Sequence, residues 1–220
     1  MKHLDREAML REVLAEEEVM DLSLPELTDK LTNFEDLVLR WGKKIDLVSR
    51  GDEGEIFQRH ILDSFVIALR ARRLLAEGEM SGGAILDVGT GAGFPGMVLA
   101  VVFPDNDIYL CEPRAKRCIF LREAVRQLGL KSVHVCQTRL EQLELAAGSI
   151  ALVTTRATGI RELYFAEAER LLCRGGLVSE MLSSSQSLPA LNSNFILVED
   201  SAYCVPGRVE ERRFAVWRRA

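Results

Sequence analysis

Ala84-Ile85-Leu86-Asp87-Val88-Gly89-Thr90-Gly91-Ala92-Gly93-Phe94-Pro95-Gly96 decides the fold of this 220-residue chain. Ala84–Val88 is a short apolar run of the kind that forms a buried strand. Gly89, Gly91, Gly93 and Gly96 then let the backbone turn sharply, and Gly96–Phe103 carries a helical pattern. Strand, glycine turn and helix in this order form a loop whose main chain a ligand can approach where a Cβ would block it.

Working outward, the same form recurs. Strand signals at Asp107–Glu112, Ser132–Cys136 and Ile150–Thr155 alternate with helical patterns at Ala115–Leu128 and Gly159–Leu172. This alternation predicts an α/β fold, a Rossmann-like, doubly wound and mostly parallel sheet. Three further runs, Gly176–Leu182, Phe195–Val205 and Arg212–Arg219, bring the sheet to seven strands. The last two follow each other without a helix, so they should close as a C-terminal antiparallel hairpin. The serine-rich stretch Ser183–Ser187 reads as a mobile loop.

Upstream there is no strand signal. Leu24, Leu27, Leu31, Phe34, Leu37, Val38 and Trp41 share one helical face, with Ser23, Pro25 and Glu26 as a capping-box start and Gly42 as the stop. Ile45–Arg50 reads as a loop, and a second helical stretch runs from about Gly54 to Ala76. The division expected is a helical extension over residues 1–80 and an α/β domain over residues 81–220.

Charge is unevenly placed. The chain carries 33 acidic and 28 basic side chains, but residues 1–30 alone hold nine acids and four bases, so the rest is balanced. The acidic excess therefore says nothing against a polyanionic partner for residues 31–220. Basic residues gather in three patches: Arg114, Lys116, Arg117, Arg122, Arg126 and Lys131; Arg208, Arg212, Arg213, Arg218 and Arg219; and Arg70, Arg72 and Arg73. Each is either a set of phosphate contacts or a solvated face. No apolar run is long enough to span a bilayer. Five cysteines without a CxxC pair exclude a zinc cage and a disulfide framework, and point to packed thiols in a cytoplasmic protein.

Two ligands suit the glycine loop. Gly91, Gly93 and Gly96 satisfy GxGxxG, the pattern of dinucleotide sites. Yet Asp87 would face a pyrophosphate with negative charge, and Pro95 removes an N–H that a phosphate would use. A cationic ligand such as S-adenosylmethionine fits better, and Glu112 at the next strand end can take ribose hydroxyls of either.

The stretch resembles motif I of class I S-adenosylmethionine-dependent methyltransferases. Trp41–Leu47, Arg59-His60-Ile61-Leu62-Asp63-Ser64, the glycine loop, Lys116-Arg117 and Thr155-Arg156-Ala157 narrow the resemblance further. In this order they are similar to the glucose-inhibited division protein B family, which methylates guanine N7 in small-subunit (16S) ribosomal RNA. The chain departs from that pattern at Gly42 and Asp46, at Glu112-Pro113, and at Met181-Leu182 in the fifth strand. The resemblance implies a cofactor site of Asp87, Gly89, Gly91, Gly93, Phe94, Glu112, Leu140 and Glu141. It places Arg156 at the mouth of the active site, with His60 and Asp63 either lining the pocket or pairing structurally between helices. Lys43, Arg59, Lys116, Arg117 and Arg139 are the RNA-facing candidates. The implied cofactor is S-adenosylmethionine, the partner ribosomal RNA or the small subunit, and a monomer is expected. Other acceptors, an NAD(P)-dependent oxidoreductase and a weakened RNA-binding module are the competing readings.

Overall fold

A computed structural model describes residues 2–49, 51, 54–78, 83–156, 161–183 and 186–220. The elements are α1 (Lys2–Glu16), α2 (Leu24–Gly42), α3 (Asp63–Glu77), β1 (Ala84–Val88), α4 (Gly96–Val102), β2 (Ile108–Cys111), α5 (Ala115–Gln127), β3 (Val133–Cys136), β4 (Ile150–Thr155), α6 (Arg161–Leu171), β5 (Leu172–Ser183), β6 (Phe195–Tyr203) and β7 (Arg212–Arg219). The seven strands lie in the order β3-β2-β1-β4-β5-β7-β6. β1 to β5 are parallel, and β7 enters antiparallel between β5 and β6. The predicted hairpin is therefore present, with its second strand on the inside.

The pleat sorts side chains between two cores, because successive residues of a strand point to opposite faces. Ile85, Leu110 and Leu152 join a core shared with α1 to α5, whereas Leu86, Cys111 and Val153 pack with Tyr164, Phe165 and Ala168 of α6. Residues before and after position 80 thus share one hydrophobic core.

Local chemistry departs from the sequence reading at several points. Ser23 stands at the start of α2, but its hydroxyl makes no capping hydrogen bond, so the capping box does not form. The helix instead relies on Pro25 in its first turn and on the buried face of Leu27, Leu31, Phe34, Leu37 and Val38. The second helical stretch opens as a π-helix, Phe57–Leu62, before α3 begins. β5 starts at Leu172, runs through Gly175-Gly176 and ends at Ser183. Of the serine-rich stretch, residues 184–185 lie outside the described residues.

The acidic N-terminal segment has a structural use. Glu17 pairs with Arg70 at 2.8 Å, and Asp21 accepts two hydrogen bonds from Arg72 at 2.9 and 2.6 Å. Arg6 pairs with the buried Glu35 and lies over the Phe57 ring at 4.5 Å. Arg73 pairs with Glu199. The Arg70–Arg73 patch is therefore neutralised within the chain. The C-terminal patch is engaged as well: Arg208 with Glu55 and Glu210, Arg213 with Asp200, and Arg218 and Arg219 with backbone carbonyls. No helix among the described residues is long and apolar enough to cross a membrane.

Candidate active site

The sheet order reverses between β1 and β4, and in open α/β sheets the crevice at such a point holds the ligand. The glycine loop leaves the end of β1 and Arg156 follows β4, so both reach this crevice. Thr155 Oγ1 donates to Val88 O at 3.0 Å and ties the two strand ends together. The crevice is a cleft of about 430 Å³ lined by Gly89–Ala92, Phe94, His60, Arg117 and Arg156, with the loop Asp46–Ser49 as its outer wall.

Gly89 and Gly91 have φ of 69° and 60°, a conformation that side chains rarely adopt, and both line the cleft. A Cβ at Gly91 would project toward Arg117 Nη1, 3.5 Å away, so the missing side chain leaves open backbone on the floor. Beneath that floor lie two buried carboxylates. Asp87 is fully buried and accepts the Gly96 N–H at 2.7 Å on Oδ2. The Thr90 hydroxyl faces the same carboxylate without meeting hydrogen-bond geometry. Burial pushes the Asp87 carboxyl up to about 6, against the opposing pull of Thr90, the Gly96 N–H and the Arg156 charge. Glu112 accepts the Gly91 N–H at 3.1 Å and the Arg114 N–H at 2.9 Å, and lies 3.7 Å from Arg117.

This wiring decides between the two ligands. The Gly96 N–H is taken by Asp87, the Met97 N–H by Gly93 O and the Val98 N–H by Pro95 O, while Pro95 has none. The start of α4 therefore offers no donor to a pyrophosphate. An open glycine floor over two carboxylates suits a ligand bearing sulfonium and ammonium charge, so the residues present fit S-adenosylmethionine.

On the facing wall, the π-helix projects His60 into the cleft. His60 stacks on Phe94 with ring centroids 5.2 Å apart, and Arg156 Cζ sits 5.6 Å from the same ring. Phe94 rests in turn on Phe34 of α2, at 5.3 Å. Asp63, three residues after His60, does not reach this wall. Its carboxylate is buried and accepts the Tyr203 hydroxyl at 2.6 Å, which fastens β6 to α3. Burial raises the Asp63 carboxyl, with Tyr203 pulling it down.

Of the residues singled out from sequence, the structure brings His60, Gly89, Gly91, Phe94, Arg117 and Arg156 together around the cleft. Asp87 and Glu112 support its floor from below. Gly93 packs against Phe34 and Leu121, so it serves the fit of loop to helix. Leu140 is buried in the core under α6, and Glu141 and Arg139 are exposed outside the cleft. Arg59 is held by Glu55 at 2.6 Å. Lys43, Lys116 and Arg117 line an adjoining cavity. Ala157 lies outside the described residues. Sequence reasoning missed Val48 and Ser49, whose one signal was a short loop between two amphipathic helices. No cysteine is among the described residues lining the cleft, and burial pushes Cys111 up to about 12 and raises Cys118 and Cys136.

Comparison with known proteins agrees with this geometry. Residues 27–201 match the family model described as rRNA small subunit methyltransferase G. The chain is 36% identical over 172 residues to the ribosomal RNA small subunit methyltransferase G of Halorhodospira halophila, covering 74% of this chain and 77% of that one. It is 34% identical over 190 residues to the protein of the same name from Desulfotalea psychrophila, covering 81% and 83%. Among solved structures, the magnesium protoporphyrin IX methyltransferase of Synechocystis with bound SAM superposes with a TM-score of 0.56 at 14% identity, covering 87% of this chain and 97% of that one. A SAM-dependent methyltransferase from Aquifex aeolicus gives 0.53 at 16% identity, covering 68% and 89%. These two show the fold. The family match, the share of the chain it covers and the glycine floor agree: the chain belongs to the rRNA small subunit methyltransferase G (GidB) family and is an S-adenosylmethionine-dependent methyltransferase.

Proposed function

We propose that this chain methylates N7 of a guanine in small-subunit ribosomal RNA, with the cleft between β1 and β4 as the reaction site. S-adenosylmethionine supplies an electrophilic methyl group on a sulfonium. The glycine floor of Gly89 and Gly91 holds it, and the buried Asp87 and Glu112 lend negative potential to its charged end. Arg156 and His60 orient the base on the opposite wall.

The observation that carries this reading is the engagement of His60. Its Nδ1 accepts from Arg156, and among the described residues the sole carboxylate lining the cleft is Asp46, on the outer wall. Among the described residues, a site so furnished aligns its substrates and sets no carboxylate on the cleft wall beside His60 and Arg156 to remove a proton. Guanine N7 carries a free lone pair, so attack on the methyl carbon needs alignment alone. An exocyclic amine or a pyrimidine carbon would need a base or a nucleophilic thiol.

Incubating the purified chain with labelled cofactor and either unmethylated small subunits or naked RNA tests this directly. Chemical cleavage at 7-methylguanosine should map the label to one guanine. Label on another base or atom would overturn the N7 assignment. Comparing the two substrates tells free RNA from the assembled particle.

A further inference from the structure

Beside the cofactor cleft lies a second cavity of about 530 Å³, lined by residues 42–46, Val48 and residues 114–117. Asp46, Val48 and Arg117 line both spaces, so Arg117 stands in the wall between them. Five cations surround this cavity: Lys43, Lys44, Arg114, Lys116 and Arg117. Asp46 is the single acid among the described residues that line it.

The charge arrangement is unfavourable as it stands. Helices gain from acids in their first turn, where the unsatisfied N–H groups carry partial positive charge. α5 has no acid there; Arg114 caps it, and Lys116 and Arg117 occupy the turn. Two more lysines face these from the end of α2. Elsewhere the arginines find carboxylates, as Arg70, Arg72, Arg73, Arg161, Arg208 and Arg213 all do. Among the described residues, Lys43, Lys44, Arg114 and Lys116 make neither an ion pair nor a side-chain hydrogen bond, and all four are exposed. Arg117 is held from the cleft side, donating to Asp46 O at 3.2 Å through Nη2. Four cations, none of them paired among the described residues, converge on a concave surface.

We infer that this cavity is a phosphodiester subsite, which takes the RNA backbone phosphate next to the base held in the cleft. The inference rests on the RNA reading above and adds where the strand runs: across the start of α5, under the loop that follows α2. Arg114 offers a planar fork to two phosphate oxygens, and the three lysines act as point charges around it. A phosphate here relieves the repulsion among the cations and satisfies the start of α5, so binding is favoured by the arrangement that is unfavourable without it.

The test measures binding of a ribosomal RNA fragment across a salt series, for wild type, Lys44→Ala/Arg114→Ala and the control Arg213→Ala. The control removes an equally basic but paired side chain. In the double variant we expect about tenfold weaker binding at low salt and a log–log salt slope smaller by about 1 to 2, as loss of phosphate contacts requires. Cofactor affinity should stay at the wild-type value, which also shows that the variant is folded. The control should keep the wild-type slope. An unchanged slope in the double variant beside normal wild-type binding would overturn the subsite alone. Failure of the wild-type chain to bind ribosomal RNA would overturn the RNA reading together with it.

Discussion

Arg156 Nη1 lies 2.6 Å from His60 Nδ1, joining residues 96 apart in the chain across the cleft. A guanidinium has donors only, so Nδ1 must be the acceptor and the ring proton sits on Nε2. His60 therefore aims Arg156, and both are steadied by the Phe94 ring. Replacing His60 by Ala should lower kcat for methylation by ~10- to 100-fold, the scale expected when a positioning contact is lost. His60→Asn, whose amide oxygen can replace Nδ1, should recover part of it. Steady-state kinetics decide, and an unchanged kcat in His60→Ala would remove the residue from the site.

The Tyr203–Asp63 hydrogen bond gives the opposite forecast. It joins β6 to α3 away from the cleft, and both groups are buried. Tyr203→Phe should cost about 1–3 kcal/mol by leaving a buried acceptor unpaired. Denaturant melts would read that loss, while kcat below the melting range stays unchanged. Loss of methylation in a folded Tyr203→Phe protein would give Asp63 a role in the pocket rather than a structural one.

Gly96 tests how the loop is seated. A Cβ there would collide with Leu110 Cδ2 and lie 2.7 Å from Asp87 Oδ2, both inside the packed layer between α4 and the sheet. Gly96→Ala should destabilise the fold by about 1–3 kcal/mol, the usual penalty of overpacking. It should also weaken cofactor binding, because the Gly96 N–H that anchors Asp87 must shift. Wild-type stability and affinity in this variant would mean that the loop is not clamped from below.

Much of this architecture was legible because its signals are local. The strand at Ala84–Val88, the glycines after it and the alternating pattern downstream act through backbone geometry and period, which sequence displays directly. Partners distant in the chain were not legible. Asp87 sits where a cleft-facing carboxylate was expected, yet it points beneath the loop because Gly96, nine residues on, presents an N–H there. His60 and Asp63 share a helical face in sequence terms, but the turn at Phe57–Leu62 is a π-helix and the two side chains part toward Arg156 and Tyr203. The three basic patches looked alike as counts. Glu17, Asp21 and Glu199 neutralise the Arg70–Arg73 patch, while Glu55, Glu210, Asp200 and backbone carbonyls take up Arg208, Arg213, Arg218 and Arg219, and only tertiary pairing shows this.

Asp87 also makes the site pH-dependent in a direction that can be worked out. Its carboxyl is pushed up to about 6 in the folded chain from an ordinary 3.8. Between these values the folded state holds a proton that the unfolded state has released, so stability falls as pH rises through this window and levels off above it. The full difference corresponds to ~3 kcal/mol. Cofactor binding should run the other way. A cationic ligand above the loop favours the ionised carboxylate, so affinity should rise from about pH 5 to about pH 7 as Asp87 ionises. Binding near pH 6 should then release a fraction of a proton. Calorimetry in two buffers of different ionisation enthalpy measures that release. Asp87→Asn keeps an acceptor for the Gly96 N–H but cannot titrate, so it should abolish the proton release and bind the cofactor more weakly at neutral pH. Equal heats in both buffers for the wild-type chain would show that the charge beneath the loop does not sense the cofactor.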